Sequence, residues 1–204
     1  MTPPPITIAD YTPEWAAVYA ELHDIYALQL GSLARAIHHV GSTSVPGLAA
    51  KPIIDIDIVI DEKSQLNEVS NRLTPLGYFH RGNLGITDRE AFGRISDFVP
   101  LVGESERRWM KHNLYVCPQD SISLRNHLAL RDYLRAHPDA AADYSALKRR
   151  LANEYTYNID LYIEGKTSFI TTILRLAGFD ASTLNTITQE NTASNRNIEL
   201  VPRI

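Results

Sequence analysis

Apolar residues recur at helical spacing through Trp15, Val18, Tyr19, Leu22, Ile25, Tyr26 and Leu28, which predicts an amphipathic helix over residues 14–30. Thr12 reads as its cap, Pro13 as its first helical residue and Gly31 as its stop. A short strand follows over Ala36–Val40 and ends in Gly41-Ser42-Thr43-Ser44. The next apolar run, Pro52-Ile-Ile-Asp-Ile-Asp-Ile-Val-Ile60, is a β-branched strand interrupted twice by aspartate. Residues 62–75 carry a helical pattern that stops at Pro75 and Gly77. Strands are expected at 78–80, 91–99 and 112–117, with a turn around Gly82–Gly85. Beyond Pro118 the pattern turns wholly helical, with helices expected over 121–136, 139–156 and 159–177.

The outline is a mixed α/β sheet domain of the α+β type to about residue 118, covered by a helical layer over 119–178. Residues 1–178 read as a single domain and 179–204 as a tail, rich in Asn and Thr with an apolar end (Ile198, Leu200, Val201, Ile204), either loosely ordered or strapped against the rest. With 44% apolar residues in 204, the chain can bury a core. A net charge of −4 gives no general reason to expect nucleic acid. The one cysteine, Cys117, sits in an apolar stretch and reads as a buried thiol. No apolar run approaches the roughly 20 residues that cross a bilayer, and the N-terminus lacks a signal pattern, so a cytoplasmic location without membrane contact is expected.

Chemistry concentrates on two short segments. Asp55 and Asp57 alternate in a strand, so both side chains share one face, about 6–7 Å apart. Two like charges beside each other in an apolar strand are costly unless a cation neutralises them. Mg²⁺, with Mn²⁺ as its substitute, suits such hard oxygen ligands and takes one or two carboxylates plus substrate phosphates. Ser42 precedes Asp55 by thirteen residues and closes the preceding strand with Gly41. Glycine there permits close approach of a phosphate, and the hydroxyls of Ser42, Thr43 and Ser44 add donors.

Apolar-Gly-Ser, twelve residues, then Asp-apolar-Asp-apolar resembles the signature of the DNA polymerase β nucleotidyltransferase superfamily. The longer run from His39 through Gly41-Ser42-Thr43-Ser44-Val45-Pro46-Gly47 and Lys51-Pro52 to Asp57 is similar to the hallmark of the GrpB family. That resemblance continues through His112–Val116, Arg125–Arg135 and Tyr162–Ile170, and covers about residues 8–175. It implies a nucleotidyltransferase-like fold. It also implies that Gly41 and Ser42 hold the phosphates of a nucleoside triphosphate, while Asp55 and Asp57 hold the metal. The reaction implied is transfer of a nucleotidyl group to a small hydroxyl- or phosphate-bearing acceptor. The alternative is a protein of the same fold that binds a nucleotide or phosphometabolite without turnover. An interaction protein working through its C-terminal helices and tail is a third reading.

The resemblance also implies a third carboxylate on a later strand, but 112–117 offers only His112, Asn113 and Tyr115. GrpB relatives often place a second histidine where this chain has Tyr115. His112 and Tyr115 are three apart and face opposite sides of a strand, so one of them addresses the cleft. Imidazole is the better base near neutral pH, and His112 is assigned the catalytic role. Lys51, between the two motifs, joins the phosphate-binding group. Arg125, His127 and Arg131 have near-helical spacing, and the two arginines are candidate anion contacts. Arg107, Arg108 and Lys111 cluster before the His112 strand, and Asp97 is a further acid without an assigned place. Gly165-Lys166-Thr167 is similar to the end of a P-loop, but Asp160 stands where that motif needs glycine. The histidines show no zinc spacing.

Overall fold

The first apolar stripe folds as helix α1 (Glu14–Leu30), which buries Trp15, Val18, Leu22, Tyr26 and Leu30. Thr12 Oγ1 accepts the Glu14 N–H at 3.3 Å at its start. The computed structural model describes residues 3–103 and 107–192. Strands β1 (Ala36–Val40) and β2 (Ile54–Ile60), helix α2 (Leu66–Leu73), and strands β3 (Tyr78–His80), β4 (Glu90–Arg94) and β5 (His112–Pro118) complete the α/β part. They form one sheet in the order β1-β2-β5-β4-β3. The β2–β5 pair is parallel and the other neighbours are antiparallel, so the sheet is mixed as expected.

Alternation along β2 and β5 divides the molecule. Ile54, Ile56, Ile58 and Ile60 share one face with Leu114 and Val116, and pack against α1 and α2. The opposite face carries Asp55, Asp57 and Val59, in register with Asn113, Tyr115 and Cys117. Cys117 is buried there with Val59 and Leu124, as a structural thiol should be. Helices α3 (Ile122–Ala136), α4 (Pro138–Glu154), α5 (Ile159–Glu164) and α6 (Thr167–Leu176) belong to this second side. Ser121 caps α3 by accepting from the Leu124 N–H at 3.1 Å.

Two expectations are corrected. The strand expected over 91–99 ends at Arg94. Beyond it Ser96 Oγ accepts from the Phe98 N–H at 3.2 Å, a local turn bond that competes with the ladder. The helix expected over 159–177 is two, broken at Gly165-Lys166. A Cβ on Gly165 would stand 2.6 Å from Leu151 Cδ2, so any other residue at this corner would have to push the Leu151 side chain of α4 aside. The tail begins with a helix, α7 (Ala181–Glu190), whose Leu184 and Ile187 pack on Leu174 and Phe179. The apolar end of the tail, with Ile198 to Ile204, lies outside the described residues.

The α1 side contains a buried polar relay. His112 donates from Nδ1 to the Met110 carbonyl at 2.9 Å, which fixes its tautomer. Its Nε2 therefore accepts from Tyr78 Oη at 2.5 Å, and Tyr78 in turn accepts from Tyr26 Oη at 2.6 Å. Burial brings His112 down to about 4, and burial with the nearby Arg135 and Arg131 brings His39 to the same value. Both histidines are neutral in the fold and protonate in the unfolded chain below about pH 6.5. Stability is therefore complete above that pH and is lost as pH falls toward 4. Each group contributes up to about 1.4 kcal/mol per pH unit. Urea midpoints should fall between pH 7 and pH 5, and His112→Gln should flatten the slope. At pH 7, Tyr78→Phe should cost about 1–3 kcal/mol, because it leaves a buried acceptor unpaired; an unchanged urea midpoint would contradict the relay.

Candidate active site

Asp55 and Asp57 emerge on the second face of β2, beneath α3. Asp57 is 0% exposed. Its Oδ2 accepts from His127 Nδ1 at 2.7 Å, and its Oδ1 is buried with no hydrogen-bond partner. Asp55 is partly exposed, and its Oδ1 accepts from Asn113 Nδ2 at 2.7 Å. Burial raises the Asp55 carboxyl above its ordinary range, against the lowering effect of the Asn113 bond. An orphaned buried carboxylate oxygen beside a second carboxylate is the donor set a hard divalent cation requires. Among the described residues no group of three or more His, Cys, Asp or Glu side chains gathers to hold a metal. Two carboxylates completed by water and phosphate fit magnesium better than a closed, all-protein metal cage.

Gly41 comes against this pair from β1. It adopts φ +67° and ψ −174°, a region essentially reserved for glycine, and a Cβ there would run into the Asp55 carboxylate. The space that glycine leaves is thus taken by the Asp55 carboxylate. The short helical turn Ser42–Ser44 follows. Thr43 and Ser44 are buried and engaged inward. Thr43 Oγ1 accepts from His39 Nε2 at 3.0 Å and donates to the Ile53 carbonyl at 3.2 Å, while Ser44 Oγ donates to the Gly41 carbonyl at 2.6 Å. Their hydroxyls shape the turn, and Gly41, Ser42 and Thr43 line the cleft.

The cleft has two chambers that share Ser42, Asp55, Ile163 and Lys166. One, of about 210 Å³, extends past His127 and Arg131 toward α6. The other, of about 180 Å³, collects Lys51, Lys148 and Lys166. Lys148 is 2% exposed and donates to the Ala49 carbonyl. Burial, then Lys166 and Arg149, lower it to about 6. A bound polyanion would favour its charged form.

Several expected residues lie elsewhere. His112 pairs in register with Ile54, not with either aspartate, and its ring is held in the relay on the α1 side. Asn113 and Tyr115 face the cleft side instead, so the catalytic assignment of His112 is corrected. Arg125 lies against the Phe179 ring, 5.1 Å from its centroid, off the cleft. Arg131 does line the larger chamber, but it also donates to Asp132 at 2.7 Å and to the His39 carbonyl at 3.2 Å. Arg107 pairs with Glu21 of α1, and Asp97 lies 3.8 Å from Arg94. Lys148 and Lys166 are site residues to which sequence reasoning gave no role, and His127, named only with Arg125 and Arg131 as a basic group, is found on Asp57. Of these only His127 carried a signal, the four-residue spacing to Arg131 that puts both on one face of α3.

A mixed sheet with a Gly-Ser turn and alternate aspartates on the face of its strand beneath the helical layer defines a protein of the nucleotidyltransferase fold. GLD-2 in its complex with RNP-8 shares that fold at a TM-score of 0.52, over 96% of this chain and 74% of that one, with 13% identity. Within this class the chain belongs to the GrpB family, whose model, described as "GrpB protein", matches residues 5–176. The crystal structure of the conserved protein GrpB from Enterococcus faecalis is similar at a TM-score of 0.69 and 28% identity, over 88% of this chain and 98% of that one. UPF0157 protein YqkA of Bacillus subtilis is 35% identical over 167 residues, 82% of this chain. The match spans 46% of the length of that relative. No helix among the described residues is long and apolar enough to cross a membrane.

Gly41→Ala should cost about 1–3 kcal/mol from its backbone region alone and displace the Asp55 carboxylate. Urea unfolding should show the loss, and Mn²⁺ titration should show weakened binding. Retention of both properties would mean that the turn is not held against Asp55.

Proposed function

We propose that this chain is a Mg²⁺-dependent nucleotidyltransferase that moves a nucleotidyl group from a nucleoside triphosphate to a small hydroxyl- or phosphate-bearing acceptor. The observation that carries this reading is the unpartnered Asp57 Oδ1, buried beside Asp55 at the Gly41-Ser42 turn. Bound Mg²⁺, or Mn²⁺ in its place, supplies charge neutralisation on the phosphates and a lowered pKa for the acceptor oxygen. Asp55 and Asp57 hold it, and their geometry is set by Asn113 and His127, which each fix one carboxylate oxygen. Ser42 and the Gly41 backbone receive the phosphates, with Lys51, Lys148 and Lys166 lining the adjoining chamber. Catalysis then rests on positioning and on charge already in place. The acceptor oxygen bonds to the α-phosphorus, pyrophosphate leaves, and the acceptor's proton passes to water. The partners are small molecules, in keeping with the near-balanced charge of the chain.

Asn113 supports a second reading. It occupies the cleft face of β5 where the catalytic pattern expects an acid, and an amide cannot take a proton or hold a second metal well. That favours nucleotide binding without turnover.

Pyrophosphate release from the four nucleoside triphosphates with Mg²⁺ or Mn²⁺ and pooled metabolites separates the two. Release that disappears in Asp57→Asn supports the transferase. Metal-dependent nucleotide binding with no release under any condition supports the binding protein. In calorimetry Asp57→Asn should abolish Mn²⁺ binding, and His127→Ala should weaken it about 10–100-fold. Equal binding by wild type and Asp57→Asn would end the metal assignment.

A further inference from the structure

The family match ends at residue 176, but the cleft does not. Asn191, which follows the last residue of α7, lines the 210 Å³ chamber together with Asn126 of α3. Two contacts and a local cap hold α7 in place. Leu184 and Ile187 pack on Leu174 and Phe179. Asp180 caps the helix by accepting from the Thr183 N–H at 2.8 Å. Glu190 Oε1 accepts the backbone N–H of Thr87 at 3.0 Å, from the connection between β3 and β4. A segment beyond the family match therefore reaches back to the site and is tied to the sheet domain.

The two chambers differ in chemistry as the two ends of a nucleotide do. The smaller gathers three lysines. The larger alone has apolar walls from Leu130, Leu134, Tyr144 and Ile170, with two carboxamides beside His127 and Arg131. Its volume lies below the roughly 300–1,000 Å³ of sites for drug-sized ligands, and suits one planar heterocycle. A carboxamide donates and accepts at once, so it can match the edge of one base and leave a group unpaired against another. The chambers meet at Ser42, Asp55 and Lys166, where the α-phosphate of a spanning nucleotide would fall.

We propose that the larger chamber receives the nucleobase, and that Asn191, with Asn126, discriminates among bases. This rests on the nucleotide reading above and adds to it a base-selecting wall built by the C-terminal segment. Of the two carboxamides, Asn126 lies within the family match and Asn191 beyond it.

The test is competition binding to the full chain with Mn²⁺, using ATP, GTP, CTP, UTP and inorganic tripolyphosphate. Wild type should rank the four nucleotides over about a tenfold range and bind each more tightly than tripolyphosphate. Asn191→Ala should compress that range about fivefold, the worth of one net hydrogen bond. Asn191→Asp, which can only accept, should change the order. Glu190→Ala, which frees the end of α7 from Thr87, should shift selectivity in the same direction as Asn191→Ala. Affinity for tripolyphosphate, which has no base, should stay within twofold throughout, and circular dichroism should confirm folding. An unchanged ranking in both Asn191 variants, with nucleotides still bound, overturns this inference and leaves the metal–phosphate reading standing. Failure of wild type to bind any nucleotide or tripolyphosphate overturns both.

Discussion

The burial of the Asp57 carboxylate is the constraint around which the second half of the molecule is organised. Removing an ion of this kind from water costs several kcal/mol even after relaxation. Here it sits in a strand whose other face is solid isoleucine, so it cannot turn away without breaking the core under α1 and α2. One oxygen is answered by His127 from α3, and the other is buried without a hydrogen-bond partner. Apolar contact alone would let α3 close down on β2. The acid is instead joined to α3 through His127, and its strand neighbour Asp55 lines the cleft.

The roof then fixes the rest. Arg135 donates twice to the Ser44 carbonyl, at 3.0 and 2.7 Å, and Arg131 reaches the His39 carbonyl. From α4, Ser145 Oγ accepts the Ala49 N–H at 3.2 Å, and Lys148 donates to the Ala49 carbonyl. Backbone groups at the end of β1 and along the following loop are thus satisfied by helices about ninety or more residues later in the chain. The Gly-Ser turn has its shape only when the helical layer is in place, so the N-terminal half carries the motif but not the site.

The elements themselves were legible wherever periodicity was strong. Helix α1, the aspartate strand and the two long helices α3 and α4 follow their apolar spacing within a residue or two. The aspartate pair and Gly41-Ser42 were legible because alternation and a glycine turn are local facts. His112 was misplaced because the face a strand residue takes depends on its register with a neighbour. Opposite faces for His112 and Tyr115 followed from their spacing, but not which of them shares a face with Asp55. Lys148, Lys166 and Asn191 were invisible for a different reason. Each comes from a separate helix or helix end, and only tertiary packing brings them to Ser42. The break at Gly165-Lys166 was read through as one helix, since a single glycine is tolerated in a helix and its contact with Leu151 cannot be seen in sequence.

The two-sided character of β5 limits where this chain can change length. His112, Leu114 and Val116 serve the hydrophobic side while Asn113 and Tyr115 serve the cleft, and parallel pairing with β2 locks both sets at once. Inserting or deleting one residue within the strand would exchange the sets, driving an amide and a phenol into the core and the relay histidine toward the cleft. The connection from Arg94 to His112 bears no such parity. Length variation among relatives should therefore collect in that connection and spare the strand it leads into, so gaps in an alignment can be placed there on physical grounds.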